Sequence, residues 1–209
     1  YVATVQLMPV MFLMLFPVGL TVVGFFDSGK KIDAAQPLER SHWAFSEIMD
    51  RASKYEVNVS QIFVSVGSNA SWSPTGFRSG KLEVGQNLFD DRAALRGTVM
   101  HELGHARQFC QADVVALSLS VMLLGVVSLT NIWNGILFAA VLAPAFVVVQ
   151  AWWCRRKEFA ADSFAASHGA AEELIKSFTF SPHSGSIFAT HPPMDVRVAR
   201  IYAVQAAAS

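Results

Sequence analysis

Three stretches of this chain carry no charged residue, and together they limit the folds open to it. They run from Tyr1 to Phe26, from Val114 to Thr130 and from Ile132 to Cys154. A helix needs about 20 mainly apolar residues to cross a bilayer, with a lower limit near 17. The first and third stretches exceed that length and the second just meets it. A chain of 209 residues offers too small an interior to bury three such helices, so membrane spans are the expectation. The overall balance agrees: 53% of residues are hydrophobic and 15% charged, against about 25% charged in ordinary soluble domains.

The first stretch lacks a basic leader and is too long for a signal-peptide core, so it reads as a retained span. The chain opens on Tyr1 rather than Met, so either its start is processed or an earlier segment precedes it. Lys30 and Lys31 follow the first stretch and Arg155, Arg156 and Lys157 follow the third, while the loop between the second and third has no basic residue. The positive-inside rule then places residues 27–112 and 155–209 together on the cytoplasmic face. Formal net charge is zero and no basic block stands out, which excludes a nucleic-acid partner. Two cysteines, Cys110 and Cys154, are too few for a disulfide framework or a cysteine-rich zinc site.

Residues 38–54 read as an amphipathic helix offering Trp43, Phe45, Ile48 and Met49 for packing. Val57 to Val66 predicts a strand, Gly67 to Gly80 reads as turns, and Lys81 to Phe89 predicts a second strand pairing with the first as a hairpin or small sheet. Asp90 or Asp91 then caps a helix running through Leu95 and Val99 toward Cys110. Nine residues separate His105 from Val114, about 14 Å of helix, so this segment lies just above the bilayer.

That helix contains His101-Glu102-Leu103-Gly104-His105. Imidazoles four residues apart share one helix face and reach a single Zn²⁺, while the glutamate after the first histidine addresses a water on it. A catalytic zinc takes three protein ligands and leaves a fourth position open. The third ligand should be a histidine or carboxylate from another helix, and Glu158 is the strongest candidate. Asp162 lies one turn further on the same face, placed to fix the tautomer of a ligand imidazole. The competing reading is an interfacial helix whose acids pair with Arg155 and Arg156. Glu102 is the candidate general base. His191, in Thr190-His191-Pro192-Pro193, and Arg197 are candidate donors to a tetrahedral oxyanion, although a His-Pro-Pro run also suits a surface turn. His42, His168 and His183 have no metal-spaced partner and read as structural or exposed.

HELGH after a short hairpin, two apolar spans, RRKEFAAD (155–162) and then THPPMDVRVARI (190–201) resembles the integral-membrane zinc metallopeptidases typified by HtpX and the CAAX prenyl proteases. The similarity covers roughly residues 38–202, and the chain's size favours the HtpX branch, although one span precedes the catalytic part where two are usual. The resemblance implies a mainly α fold with a small β-hairpin or sheet: multi-span membrane helices plus a zincin-like (gluzincin) catalytic domain. It implies Glu158 as third zinc ligand with Asp162 beside it, and His191 and Arg197 as groups that bind substrate or stabilise the transition state. Asn69-Ala70-Ser71-Trp72 resembles the Asn-Ala-Phe-Ala segment of that family's substrate cleft, with Ser71 and Trp72 as departures.

The expected organisation is therefore an N-terminal span at 1–26, a cytoplasmic part of the protease domain at 27–112, a transmembrane hairpin at 113–154 and a second cytoplasmic part at 155–209. The expected activity is zinc-dependent endoproteolysis of membrane or membrane-proximal proteins, misfolded ones among them. The expected partners are a protein or peptide substrate and a lipid bilayer, and an extended substrate could add to the edge of the Lys81–Phe89 strand. The alternatives are a non-catalytic membrane scaffold with a structural zinc, which needs a fourth protein ligand, and a dedicated signalling protease, which needs a receptor domain.

Overall fold

An aspartate starts the helix on which everything else is arranged. In the computed structural model, which describes residues 35–67, 69–108, 132–180 and 191–208, Asp91 Oδ1 accepts from the N–H groups of Ala93 and Ala94 at 3.0 and 3.1 Å. This satisfies two of the donors that a helix N-terminus leaves unpaired. The helix, α2, spans Arg92–Arg107 and buries Leu95, Val99, Met100, Leu103 and Ala106 in the core. Before it stands α1 (Trp43–Lys54), whose N-cap is His42 and whose buried face is Ala44, Ile48 and Ala52. That spacing of four places all three on one stripe.

Four strands form one sheet: β1 (Gln36–Pro37), β2 (Asn58–Ser65), β3 (Ala70–Gly76) and β4 (Ser79–Gly85), in the order β1-β2-β4-β3. The two expected strands pair, in a small sheet rather than as a hairpin. β2 and β4 lie side by side but parallel, with Ile62 opposite Leu82 and Val64 opposite Val84. The hairpin is made instead by β3 and β4, turning at Phe77–Arg78. The stretch expected as turns thus holds a strand, and Lys81–Phe89 divides into the central strand and a 3₁₀ turn at Gln86–Asp90. Among the described residues the edges of the sheet are thus the two-residue β1 and the longer β3. Its Pro74 suits that place, since an edge position facing away from the neighbour needs no N–H. The expected first helix is also shorter, because Leu38 extends the β1 ladder by donating to the Ile62 carbonyl at 2.9 Å.

Three further helices complete the described chain: α3 (Ile132–Ser167), α4 (Ala171–Ser177) and α5 (Met194–Ala208), with a 3₁₀ turn at Phe178–Phe180 after α4. The fold is mainly helical with one small sheet. By its internal contacts the chain divides into two units, Tyr1–Lys31 with Cys110–Val149, and Ile32–Phe109 with Gln150–Ser209. The sheet and the candidate site belong to the second. The expected spans at 1–26 and 114–130 lie outside the described residues, and the third stretch is helical as the first part of α3. Among the described residues no helix is long and apolar enough to cross a membrane.

Two glycines set the distance between helices around α2. A Cβ at Gly97 would overlap the backbone carbonyl of Glu173 in α4. One at Gly104 would stand 2.8 Å from the Cα of Ala161 in α3. Glycine is needed at both positions because another backbone passes where a side chain would start.

Candidate metal centre

The close approach at Gly104 brings α3 against the HELGH face of α2. His101 Nε2 and His105 Nε2 stand 3.1 Å apart. Glu158 faces both, with Oε1 3.2 Å from His105 Nε2 and Oε2 3.5 Å from His101 Nε2. Among the described residues, His101, His105 and Glu158 form the cluster able to hold a metal ion. With zinc–nitrogen and zinc–oxygen bonds of about 2.0–2.1 Å, neighbouring ligands of a tetrahedral ion lie about 3.3 Å apart. The three observed separations scatter around that value, the two to Glu158 running to different oxygens of its carboxylate; with one atom from each residue the donors lie within 4.8 Å of one another, and two imidazoles with a carboxylate are a donor set that zinc takes.

Asp162 is fully buried one turn beyond Glu158 and accepts from His101 Nδ1–H at 2.9 Å. This leaves the Nε2 lone pair of His101 directed at the cluster. Arg197, from α5, closes the assembly from behind. Its Nε and Nη2 donate to the two Asp162 oxygens at 2.8 and 2.6 Å, a bidentate pair with no exposure to speak of. The guanidinium also lies 3.7 Å from Glu158 Oε2 and 4.5 Å from the Phe178 ring. His191, at the entrance and half exposed, approaches Glu158 Oε2 with Nδ1 at 3.1 Å.

The electrostatics favour a cation. Glu102, Glu158 and Asp162 are buried together, with Arg197 as the buried guanidinium beside them. Burial disfavours a charged imidazole, yet hydrogen bonds to Asp162 and Glu158 overcome it and push His101 up to about 10. Burial also works against an ionised Glu158, but His101, His105 and His191 hold it well below the usual carboxylate range. The site thus draws positive charge to the position where the ligand atoms converge. Glu102 differs: burial pushes its carboxyl up, against the pull of the two imidazoles.

A cavity of about 160 Å³ opens on this cluster, lined among others by Asn69, Ala70, Glu102, His191 and Arg197. Every residue singled out by the sequence therefore comes to one place, although Arg197 stands behind the cluster on Asp162. The Gly85 N–H bonds the Asn69 carbonyl at 2.7 Å, which sets the phase of the β3 ladder. In an antiparallel pair alternate residues point away from the partner, so Ala70, Trp72 and Pro74 turn their backbone groups outward. The Trp72 backbone amide faces the Glu102 carboxylate.

Sequence reasoning missed five walls of the cavity: Thr98, Leu174, Ser177, Phe178 and Met194. Thr98 and Met194 were within reach, one turn before His101 and two residues after Pro192. Ser177 and Phe178 carry no motif. His42 caps α1 and His168 packs on Tyr55 and Phe164, as their lack of a metal-spaced partner suggested, while His183 lies outside the described residues.

No curated protein matches the chain. Among solved structures, the crystal structure of S. mikatae Ste24p is similar, with a TM-score of 0.66 and 18% identity over 92% of this chain. This chain spans 58% of the length of that structure, and the likeness at this identity is one of fold. Residues 47–205 match peptidase family M48, a segment that contains α2, α3, α4 and nearly all of α5 with the entire metal cluster. The chain belongs to peptidase family M48.

Proposed function

We propose that the chain is a membrane-bound zinc metalloendopeptidase that cleaves peptide bonds of membrane or membrane-proximal proteins, misfolded ones among them. The observation that carries this reading is the convergence of His101 Nε2, His105 Nε2 and the Glu158 carboxylate at 3.1–3.5 Å, a donor set that suits three corners of a zinc tetrahedron. A bound zinc would supply Lewis acidity toward water and toward the scissile carbonyl.

The remaining work falls to the chain's own side chains. Glu102 takes a proton from the attacking water and delivers it to the leaving amine nitrogen; its raised pKa brings it closer to the operating range of a base that must also act as an acid. His191, at the mouth of the cavity, donates to the oxyanion that develops on the carbonyl oxygen. Arg197 assists by holding Asp162, and through it the tautomer of His101. Its Nη2 adds positive charge 3.7 Å from Glu158.

An extended substrate pairs with the outward backbone groups of Ala70 and with the Trp72 carbonyl, so the docking edge is that of β3, not of Lys81–Phe89. Asn69 and Ala70 border the cavity at that edge. The three uncharged stretches anchor the chain as a multi-pass membrane protein, with the basic residues beside them setting the active site on the cytoplasmic face. Protein substrates and a lipid bilayer are thus its partners.

The test is Glu102→Gln in the full chain. Zinc content should stay at one per chain while casein cleavage falls to background. Cleavage at the wild-type rate would remove Glu102 as the base.

A further inference from the structure

A second cleft, of about 450 Å³, opens between α1 and the first turns of α2 and shares no lining residue with the metal cavity. Its walls carry Arg51, Lys54, Arg92 and Arg96 against Glu47 and Asp50. Glu47 is the hub of these charges. Its Oε2 accepts from Arg92 Nε at 2.8 Å, its Oε1 accepts from Arg96 Nε, and Arg51 Nη2 stands 3.6 Å from Oε1. One carboxylate therefore serves three guanidiniums. The Nε of Arg51 is buried and has no hydrogen-bond partner. A buried donor in that state is destabilising until an acceptor reaches it.

We propose that this cleft binds the head of a phosphate monoester. Its four cations stand against Glu47, Asp50 and the Glu173 carboxylate 3.7 Å from Arg96 Nη1, which leaves one positive charge unbalanced and favours an anion. Guanidinium forks suit its tetrahedral oxygens in a way that a lone ammonium does not. The Nε of Arg51 has no acceptor where it stands, so turning this guanidinium toward a bound oxygen gives up no hydrogen bond at that atom. The cleft is roomier than an oxyanion requires, and the Trp43 ring, with the Arg92 guanidinium 5.2 Å from its centre, offers a flat apolar wall for the organic part. The same head group occurs on soluble phosphorylated metabolites and on phosphatidic acid, so the chemistry is shared by two sources.

The test is calorimetric titration of the full, zinc-loaded chain in uncharged detergent with inorganic phosphate and with glycerol 1-phosphate, at ionic strength held constant with chloride. Saturable 1:1 binding is expected. Arg51→Gln should weaken it at least tenfold and Lys54→Gln about threefold, with zinc content and peptidase activity unchanged in both. A parallel titration with nanodiscs of phosphatidylcholine, with and without phosphatidic acid, separates the sources. Binding that depends on Arg51 only in the phosphatidic acid discs assigns a lipid head group, and binding of glycerol 1-phosphate alone assigns a soluble ester. Absence of saturable binding in every arm overturns the proposal. So does binding that survives Arg51→Gln but vanishes when zinc is chelated, since that places phosphate on the metal. Should Arg51→Gln fail to fold, the exposed Lys54→Gln variant decides, and unchanged affinity there overturns it.

Discussion

Replacing Gly104 by alanine adds one methyl group at the point where the two halves of the metal cluster meet. The new Cβ would stand 2.8 Å from Ala161 Cα, 3.1 Å from its carbonyl oxygen and 3.2 Å from its Cβ. Carbon atoms in packed interiors sit about 3.5–4.0 Å apart, so α3 must withdraw by roughly 0.7 Å or more. The two nearest obstructing atoms are backbone and the third is a methyl group, so no rotamer change relieves them. Ala161 lies beside Asp162 and three residues from Glu158, so both carboxylates withdraw with it. The Glu158 separations of 3.2 and 3.5 Å then open toward about 4 Å, well beyond the ~0.2 Å tolerance of a metal bond. Overpacking of this kind costs about 1–3 kcal/mol, and displaced ligands cost about 10–100-fold in metal affinity. Zinc competition against a chromophoric chelator, with thermal unfolding of the zinc-free chain beside it, reads both effects. Gly97→Ala is the control, because its Cβ would overlap α4 at Glu173 rather than the ligand helix. It should destabilise at least as much, with a smaller loss of zinc per unit of stability lost. Wild-type zinc affinity in Gly104→Ala would refute the claim that helix contact at this glycine sets the ligand geometry.

Other outcomes follow from the same contacts. Asp162→Asn leaves the buried Arg197 with a neutral partner and His101 Nδ1–H with a weaker acceptor; stability should fall by about 3–5 kcal/mol and zinc affinity about 10–100-fold, measured by denaturant unfolding and chelator competition, and values within twofold of wild type would contradict the role given to that carboxylate. Burial opposes the ionised form of Glu47, but Arg96 and Arg92 hold its carboxyl below the ordinary 4.5. Its contribution to stability is therefore present above pH 4.5 and lost as pH falls through the depressed folded-state value, so the stability gap between wild type and Glu47→Gln should narrow in acid; a gap independent of pH would argue against the pairing. Methylating a substrate backbone nitrogen that pairs with β3 removes a hydrogen bond of about 1–1.5 kcal/mol, which should raise KM roughly tenfold with kcat little changed, and an unaffected KM would remove β3 as the docking edge.

The metal cluster was legible because its geometry is local twice over. Two histidines four apart on α2, and Glu158 four before Asp162 on α3, each encode a shared face by helical period alone. Their meeting across 53 residues of sequence depends on packing at Gly104 and Ala161, which periodicity does not express; it was reached through the requirement for a third ligand and the resemblance of the motifs. The sheet was less legible for definite reasons. β3 reads ASWSPTG, where serine, proline and glycine mimic a loop, because an edge strand needs neither a continuous ladder nor two apolar faces. The alternation of β2 and β4 announces strands but says nothing of their relative direction, so a hairpin and a small sheet stayed open where a parallel pair stands. Ser177 and Phe178 enter the cavity only because α4 ends beside α2, a consequence of the missing side chain at Gly97.

The most direct measurement is zinc-edge X-ray absorption on the purified full chain, paired with elemental analysis of wild type and Glu158→Ala. One zinc per chain should appear, surrounded by nitrogen and oxygen at about 2.0–2.1 Å, with two imidazoles contributing and no sulfur, and the variant should lose the metal. A shell containing sulfur or four protein ligands, or full occupancy after Glu158→Ala, would contradict the account.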